Sequence, residues 1–368
     1  MADRVVFLVH GMGVHEADWA TPWVAALRTH FDAYPDTLLT RRSFEQRFAF
    51  VPVTFDDVLA ALLQRWHDEG FALDLAMQQF GGEPDVLRAI ENVLQAAGQD
   101  EFFWTHAADV LLYRGSSLVR EGIKAHVAAQ IAAKLQELAG AEGILPDWSV
   151  VAHSLGTIVV HDALDALWTA QISGVGNRFD PRNPGAQATL VMMVANVSRL
   201  LQTQPQAYVS TVMPGGPGAA VPGQANRFCG CRHYLSVRHA LDPFTIPGRF
   251  RPEPPDWPDS ATQAGNPKPF LEIAVDHIHD PNVHAFEHYL AHPAVHIALF
   301  RRLIHRMAIG QDKEQVALEG FRATDGLSPA AAIEIKTRLE RIIPAADELW
   351  PILRLVSDAY RAHLAKPT

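Results

Sequence analysis

The chain has 368 residues, of which 48% are hydrophobic and 20% charged, so it is long enough to bury one large α/β core or two ordinary domains. Lys and Arg number 31 against 41 Asp and Glu, and this net charge of −10 argues against a nucleic-acid partner, which needs a cationic surface. No stretch approaches the roughly 18 consecutive apolar residues of a transmembrane helix, and the first residues lack the features of a secretory signal, so we expect a cytoplasmic protein without a transmembrane segment.

Hydrophobic patterning predicts strands that alternate with helices. Short β-branched or continuously apolar runs predict strands at residues 4–9, 48–55, 148–152, 189–194, 234–239 and 270–275. Helical spacing predicts helices over residues 21–31, most of 56–138, a segment ending at about 168, and nearly everything beyond 293. This order favours an α/β fold with a mainly parallel central sheet and helices on both faces.

The helical regions also suggest the domain organisation. We assign residues 1–310 to one α/β domain with a helical insertion at about 56–118, and residues 311–368 to a C-terminal helical extension. The insertion is rich in Leu, Phe and Trp, so it either forms a cap over an apolar pocket or packs against the body of the domain. The extension either closes the core or binds a second subunit, which makes a homo-oligomer one alternative.

The segment "DWSVVAHSLGTIVV", at residues 147–160, places a serine between two apolar runs. Ala152, Ser154 and Gly156 form a small–x–Ser–x–small pattern, in which a strand bends sharply into a helix and larger neighbours would collide. The bend predicts that Oγ of Ser154 lies at the top of the sheet, beside a helix N-terminus where negative charge is favoured. A serine that only caps a helix is the alternative, but the strand before it and the helix after it favour a nucleophile.

A second motif follows the first predicted strand, which ends in His10-Gly11-Met12-Gly13. A His-Gly turn at this place supplies a backbone N–H to a developing oxyanion. We therefore predict that the N–H groups of Met12 and Leu155 form an oxyanion hole.

With these two motifs the sequence resembles the α/β-hydrolase superfamily. The segment "VVFLVHGMG" is similar to the oxyanion-loop strand of the family, and "WSVVAHSLG" is similar to its nucleophile elbow. The lipase-like serine esterases, related to lecithin acyltransferases and GPI-inositol deacylases, are the most similar in character. The resemblance covers roughly residues 4–300. It implies an α/β-hydrolase fold and a Ser-His-Asp hydrolase without a cofactor.

A serine nucleophile needs a base and an acid that orients the base, and in this fold the acid follows the serine and the histidine comes last. Asp242 is the predicted acid, because it follows the strand at 234–239 at the sheet edge where ligand-handling residues collect. The segment "ALDPF" also resembles the acid loop of the family. Asp276 and Asp280 are the rival acids, and an Asp-Pro turn without a catalytic role is the structural alternative.

The base must be chosen from the crowded segment "DHIHDPNVHAFEHYLAHPAVH". His284 is the predicted base, because it follows the strand at 270–275 and a short turn, and opens a helix. The text "VH…YL" resembles the histidine loop of the family. His288 is the runner-up, with His277 and His279 behind it.

The same histidines suggest a metal site as an alternative from another class. His284, His288, His292 and His296 recur every four residues, but Pro293 disrupts the helical stripe and no recognisable spacing supplies further ligands. The two cysteines, Cys229 and Cys231, are one residue apart, which suits neither an ordinary disulfide nor a four-ligand zinc site, so we predict reduced thiols. No metal or other cofactor is predicted.

These residues predict a serine hydrolase that cleaves a small-molecule or lipid carboxylic ester through an acyl-enzyme. An acyltransferase or thioesterase on the same scaffold is the main alternative, since the fold does not decide what accepts the acyl group. A non-catalytic binding module and a His-rich metal-dependent hydrolase are the remaining alternatives.

Overall fold

Six strands form the centre of the protein in a computed structural model, which describes residues 3–11, 15–34, 42–58, 61, 113, 117–140, 143–168, 179, 184–198, 230–240, 242, 244–245, 250, 270–277, 279, 282–304 and 309–324. The strands are β1 (Arg4–Val9), β2 (Phe48–Val53), β3 (Trp148–His153), β4 (Ala188–Val194), β5 (Cys231–His239) and β6 (Phe270–Val275). All pair in parallel, in the spatial order β2-β1-β3-β4-β5-β6. The carboxyl ends of the strands therefore meet at one edge of the sheet.

Helices cover both faces of this sheet. They are α1 (Ala20–Asp32), α2 (Phe44–Arg47), α3 (Ser117–Ala139), α4 (Leu155–Trp168), α5 (Phe286–Ala291), α6 (Pro293–Leu303) and α7 (Gln311–Ala323). Side chains alternate along each strand, so Phe7 packs with α3 and α4 on one face while Leu8 packs with α1 and α6 on the other. The protein is thus an α/β structure with two apolar layers, as the sequence predicts.

The central strands are buried along their whole length. Every residue of β3 and β4 is buried, which is typical of a parallel sheet covered on both faces. The continuously apolar runs in the sequence are explained by this position. Ser154, which follows β3, therefore stands at the middle of the sheet.

Two strands have limits that differ from the predictions, because a side chain binds the backbone after β2 and because β5 pairs further along β4 than expected. β2 ends at Val53 because the backbone of Thr54 is hydrogen-bonded to the side chain of Gln130 and not to a neighbouring strand. The N–H of Thr54 donates to Oε1 of Gln130 at 3.3 Å, and Nε2 of Gln130 donates to the carbonyl of Thr54 at 2.7 Å. β5 begins three residues early, at Cys231, because that buried residue pairs with Ala188 of β4.

Several predictions lie wholly or partly outside the described residues. Of the predicted insertion at about 56–118, only residues 56–58, 61, 113 and 117–118 are described. Cys229 and residues 325–368 of the predicted extension also lie outside. α7, within that extension, packs on α6 through an ion pair of 2.5 Å between Arg301 and Glu314. In the part of the chain that the structure describes, no helix combines the length and apolarity needed to cross a membrane.

Candidate active site

Ser154 occupies a strained bend between β3 and α4. Its φ is +53°, a left-handed conformation that non-glycine residues rarely adopt and that costs roughly 1–3 kcal/mol. Hydrogen bonds hold the bend on both sides: the N–H of Ser154 donates to the carbonyl of Val194 on β4 at 3.0 Å, and its carbonyl accepts from the N–H of Thr157 at 2.9 Å. The sharp turn predicted from the serine motif is therefore present.

Close packing explains the small residues around the serine. A Cβ atom at Gly156 would overlap the carbonyl oxygen of His10 and lie 2.9 Å from that of Val9, so α4 rests directly on the end of β1. A Cβ atom at Gly11 would lie 2.8 Å from Cβ of Ser154. The turn after β1 and the serine bend are thus in direct contact.

The structure brings the three predicted triad side chains together. Oγ of Ser154 lies 2.8 Å from Nε2 of His284, and Nδ1 of His284 lies 2.8 Å from Oδ2 of Asp242. Because the carboxylate accepts the hydrogen bond, Nδ1 carries the proton and Nε2 is left to accept the proton of the serine. All three residues are buried, with Ser154 1% exposed, His284 7% and Asp242 0%.

Asp242 is held as a carboxylate by three donors. Burial alone would raise its pKa, but attraction to His284 and the hydrogen bonds from His284, Tyr289 and the N–H of Phe244 outweigh burial, so the pKa lies below its usual value. The N–H of Phe244 donates to Oδ1 at 2.9 Å, and the phenol of Tyr289 donates to Oδ2 at 2.5 Å. Burial and the nearby Asp242 raise the pKa of Tyr289 well above its usual value, so the phenol stays a donor.

His153 connects the bend at Ser154 to the turn that contains His284. Its Nε2–H donates to the backbone carbonyl of His284 at 2.6 Å. Burial, and then the proximity of His284, lower the pKa of His153 to about 3, so this imidazole is neutral at ordinary pH. Trp23 stacks on Phe286 with ring centroids 3.8 Å apart, and both rings pack edge-on against His153. The side chain is thus fixed by packing as well as by its hydrogen bond.

The rival residues lie elsewhere. His277 and His288 each donate Nε2–H to the other's backbone carbonyl at 3.0 Å, and their rings are stacked. His279 is exposed beside Phe321, Asp276 is exposed, and Asp280 lies outside the described residues. The prediction that His284 opens a helix is wrong, because α5 begins at Phe286; His284 lies in the preceding turn, whose N–H at Ala285 donates to the carbonyl of Asn282 at 3.0 Å.

The predicted stripe of histidines does not converge on one point. Nδ1 of His292 accepts the N–H of Ala294 at the start of α6, while Nε2 of His296 contacts the hydroxyl of Tyr34 at 2.8 Å. The helix breaks at His292, between α5 and α6. The rings of His288 and His292 both lie beside His277, whereas the ring of His296 stacks on His30. Among the described residues, the groups suited to a metal are instead His239 with His277 and His288, and His10 with His15 and Asp56.

The predicted oxyanion donors are described in part. Leu155 is buried and begins α4, so its N–H belongs to the first turn, where amides lack a partner within the helix. Met12 lies outside the described residues. The sequence analysis assigned no role to Tyr289 or His153. The position of His153, directly before Ser154, is visible in the sequence, whereas the contact of Tyr289 with Asp242 depends on tertiary structure.

Comparison of the chain with protein-family models, with curated proteins and with solved structures gives no match in any of the three. Function must therefore be argued from the side chains of the site, since an α/β fold alone is compatible with many activities.

Proposed function

We propose that the protein is a serine hydrolase of the α/β-hydrolase fold that cleaves carboxylic esters. The continuous hydrogen-bonded chain from Ser154 through His284 to Asp242 carries this proposal. Such a chain supplies what a serine nucleophile needs: a base within reach of its proton, and a carboxylate that orients the base.

The proposed reaction uses each of these groups in turn. Oγ of Ser154 attacks the ester carbonyl carbon while Nε2 of His284 takes its proton, and the carboxylate of Asp242 stabilises the imidazolium. His284 then returns the proton to the leaving alcohol as the C–O bond of the ester breaks. A water molecule, deprotonated by the same nitrogen, then attacks the acyl carbon; the bond from this carbon to Oγ of Ser154 breaks, and His284 returns the proton to Oγ as the acid leaves.

The local backbone supports this assignment. Strained conformations concentrate at functional sites, and the left-handed Ser154 lies at the carboxyl edge of the sheet, where ligands of open parallel sheets bind. The amide of Leu155 at the start of α4 is suited to an oxyanion, and the N–H of Met12 remains the predicted second donor. The chain order of serine, acid and histidine is also that of the α/β-hydrolases. The choice of esters follows the resemblance of the two motifs to lipase-like esterases.

A fluorophosphonate probe tests the nucleophile directly, because it forms a covalent bond only with an activated serine. We expect the full-length protein to be labelled and Ser154→Ala to be unlabelled. Ser149→Ala changes a buried serine on β3, the strand that leads to Ser154; it is the matched control and should retain labelling. Equal labelling of the wild type and Ser154→Ala would contradict the proposal.

Turnover of a series of p-nitrophenyl esters tests the base. We expect His284→Ala to lower kcat by about 10⁴-fold or more, as loss of a triad histidine does. His288→Ala should retain activity, because its ring is bound to the carbonyl of His277. The opposite pattern would show that His288 is the base.

A further inference from the structure

A second group of side chains, outside the triad, lies beside the serine bend. His10 directly follows β1, His15 precedes α1 and Asp56 follows β2, and one nitrogen or oxygen atom of each lies within 4.8 Å of the others. His10 is fully buried, and its carbonyl oxygen is the atom on which Gly156 packs. The group is therefore in contact with the helix that follows Ser154, but it contains none of the triad residues.

Two buried atoms in this group face each other without a hydrogen bond. Nδ1–H of His10 donates to the carbonyl of Gly11 at 3.0 Å, which leaves Nε2 directed at Oδ1 of Asp56 across 3.6 Å. This separation is too long for a hydrogen bond. Neither atom has a hydrogen-bond partner within the described ranges of the chain. Leaving a buried nitrogen and a buried carboxylate oxygen unsatisfied is costly.

A bridging cation satisfies both atoms at once. Zinc binds imidazole nitrogen at 2.0–2.1 Å and carboxylate oxygen at 2.0–2.2 Å, so two such ligands in a tetrahedral site are about 3.4 Å apart. The distance of 3.6 Å between Nε2 of His10 and Oδ1 of Asp56 is within a few tenths of an ångström of that value. Two imidazoles and one carboxylate are also a usual zinc ligand set.

His15 orients the carboxylate and offers the third ligand. Oδ2 of Asp56 accepts the backbone N–H of His15 at 2.8 Å and Nδ1 of the same residue at 3.1 Å. The Nδ1–H donor leaves Nε2 of His15 with a lone pair. Its ring lies 3.9 Å from the ring of His10, at 31° to it, so it must turn before Nε2 can share an ion with His10. The side chain is 23% exposed, which leaves room for that turn.

The other histidine group is less suited to a metal. His239 and His288 both donate Nε2–H to the carbonyl of His277, and His277 donates Nε2–H to the carbonyl of His288. The rings of His277 and His288 are stacked 4.3 Å apart and 12° from parallel. Both rings are buried and held by these reciprocal hydrogen bonds, so neither is free to turn towards an ion, whereas the ring of His15 is partly exposed.

We propose that His10, Asp56 and His15 bind one divalent transition-metal ion of the zinc type. His10 and His15 flank residues 12–14, which include the predicted oxyanion donor Met12. The bound ion joins both ends of this short segment to the end of β2, next to Ser154. The inference does not depend on the proposed hydrolase activity, because no triad side chain is a ligand.

Zinc uptake by the full-length protein tests the site. After removal of metal with EDTA, isothermal titration with zinc chloride should show one more equivalent of zinc in the wild type than in Asp56→Asn. We expect Asp56→Asn and His15→Ala each to weaken this equivalent by about tenfold or more, because each loses a ligand and its orienting hydrogen bonds. Binding should also raise the Tm of the wild type.

Matched controls separate this site from other histidines on the surface. Asp57→Asn alters the neighbouring, more exposed carboxylate, and His279→Ala removes an exposed imidazole; both should keep the equivalent. Equal uptake by the wild type and Asp56→Asn, or equal loss in Asp57→Asn, would overturn the proposal. Ser154→Ala should bind zinc normally, so a failure of the hydrolase proposal is distinguishable from a failure of the metal site.

Discussion

Tyr289 donates its phenolic O–H to Oδ2 of Asp242 at 2.5 Å, and this is the same carboxylate oxygen that accepts Nδ1–H of His284. The backbone N–H of His239, at the end of β5, donates to the phenol oxygen at 3.2 Å. Oδ2 of Asp242 thus connects His284, in the turn before α5, with Tyr289 on α5. We infer that Tyr289 positions Asp242 for its contact with His284.

Replacement of Tyr289 by Phe should impair turnover while preserving the fold. A hydrogen bond to a charged group contributes roughly 1.5–3 kcal/mol, so we expect kcat/KM to fall about tenfold or more. Loss of the phenol also removes one of the interactions that lower the pKa of Asp242, so that pKa rises. Activity should therefore disappear at a higher pH than in the wild type as the solution is made acidic, which a profile of kcat/KM against pH measures.

Tyr34→Phe is the matched control for this experiment. Its hydroxyl is also hydrogen-bonded, to Nε2 of His296 at 2.8 Å, but it does not contact Asp242. Equal losses in the two variants, or an unshifted profile in Tyr289→Phe, would show that Tyr289 has only a structural role.

His153 offers a second test of positioning. His153→Phe keeps an aromatic ring but removes the donor to the carbonyl of His284, so the loop of the base is held less firmly. We expect kcat to fall about tenfold with little change in KM, because the lost contact is with the base and not with the substrate.

His153→Gln is the conservative partner, since its amide nitrogen restores a donor. It should recover much of the lost kcat in the same steady-state measurements. A Phe variant as active as the wild type would mean that packing of Trp23 and Phe286 alone holds this loop.

Local patterns predicted the α/β fold and the sharp bend at Ser154 well. The bend at Ser154 depends on residues within two positions of it, and the buried strands appear as continuous apolar runs, so both are visible in a single sequence. Contacts between distant residues were not visible. β2 stops where Gln130, 76 positions from Thr54 in the chain, binds the backbone.

The contacts among Ser154, His284 and Asp242 show the same limit. Oδ2 of Asp242 and Nδ1 of His284 meet across 42 positions of the chain, and only their places after predicted strands singled them out. Sequence order did not reveal that Tyr289, on the helix after the base, shares the carboxylate. Neither did the spacing of the histidines predict that His10 and His15 face Asp56, because β1 and β2 must first pair.

Gly156 should tolerate no side chain. Gly156→Ala places a methyl group against the carbonyls of His10 and Val9, which are fixed by β1, so we expect the free energy of unfolding to fall by about 3 kcal/mol or more. Urea unfolding followed by circular dichroism measures this change.

Gly320 on α7 provides the opposite case. Apart from the adjoining backbone of α7, no heavy atom of the described residues lies within 4 Å of a Cβ atom placed there. Because alanine also favours helix, Gly320→Ala should stabilise the protein by about 0.5–1 kcal/mol. Similar effects of the two substitutions would refute the packing of α4 on β1.

Asp162 on α4 should make stability depend on pH. It accepts the hydroxyl of Tyr113 at 2.6 Å, and burial raises its pKa from 3.8 to about 6. Between these values the folded state holds a proton that the unfolded state has released, so stability falls as the pH rises. The loss should be on the order of 3 kcal/mol.

Asp162→Asn removes this titration and keeps an oxygen that can accept from Tyr113. The difference in free energy of unfolding between the wild type and the variant, measured in urea at about pH 4 and about pH 6.5, should shift in favour of the variant at the higher pH. Parallel curves would contradict the raised pKa.

The strand order places Ser154 and His284 beside strands of the sheet that have unequal support. β3, which leads to Ser154, has a paired strand on each side, whereas β6, which precedes His284, is the last strand of the sheet among the described residues. Outer elements open at a lower free energy than inner ones. We therefore expect mild denaturant to abolish turnover by moving His284 away from Ser154 while the central strands stay folded. Dilution of the denaturant should restore turnover without refolding of the whole domain.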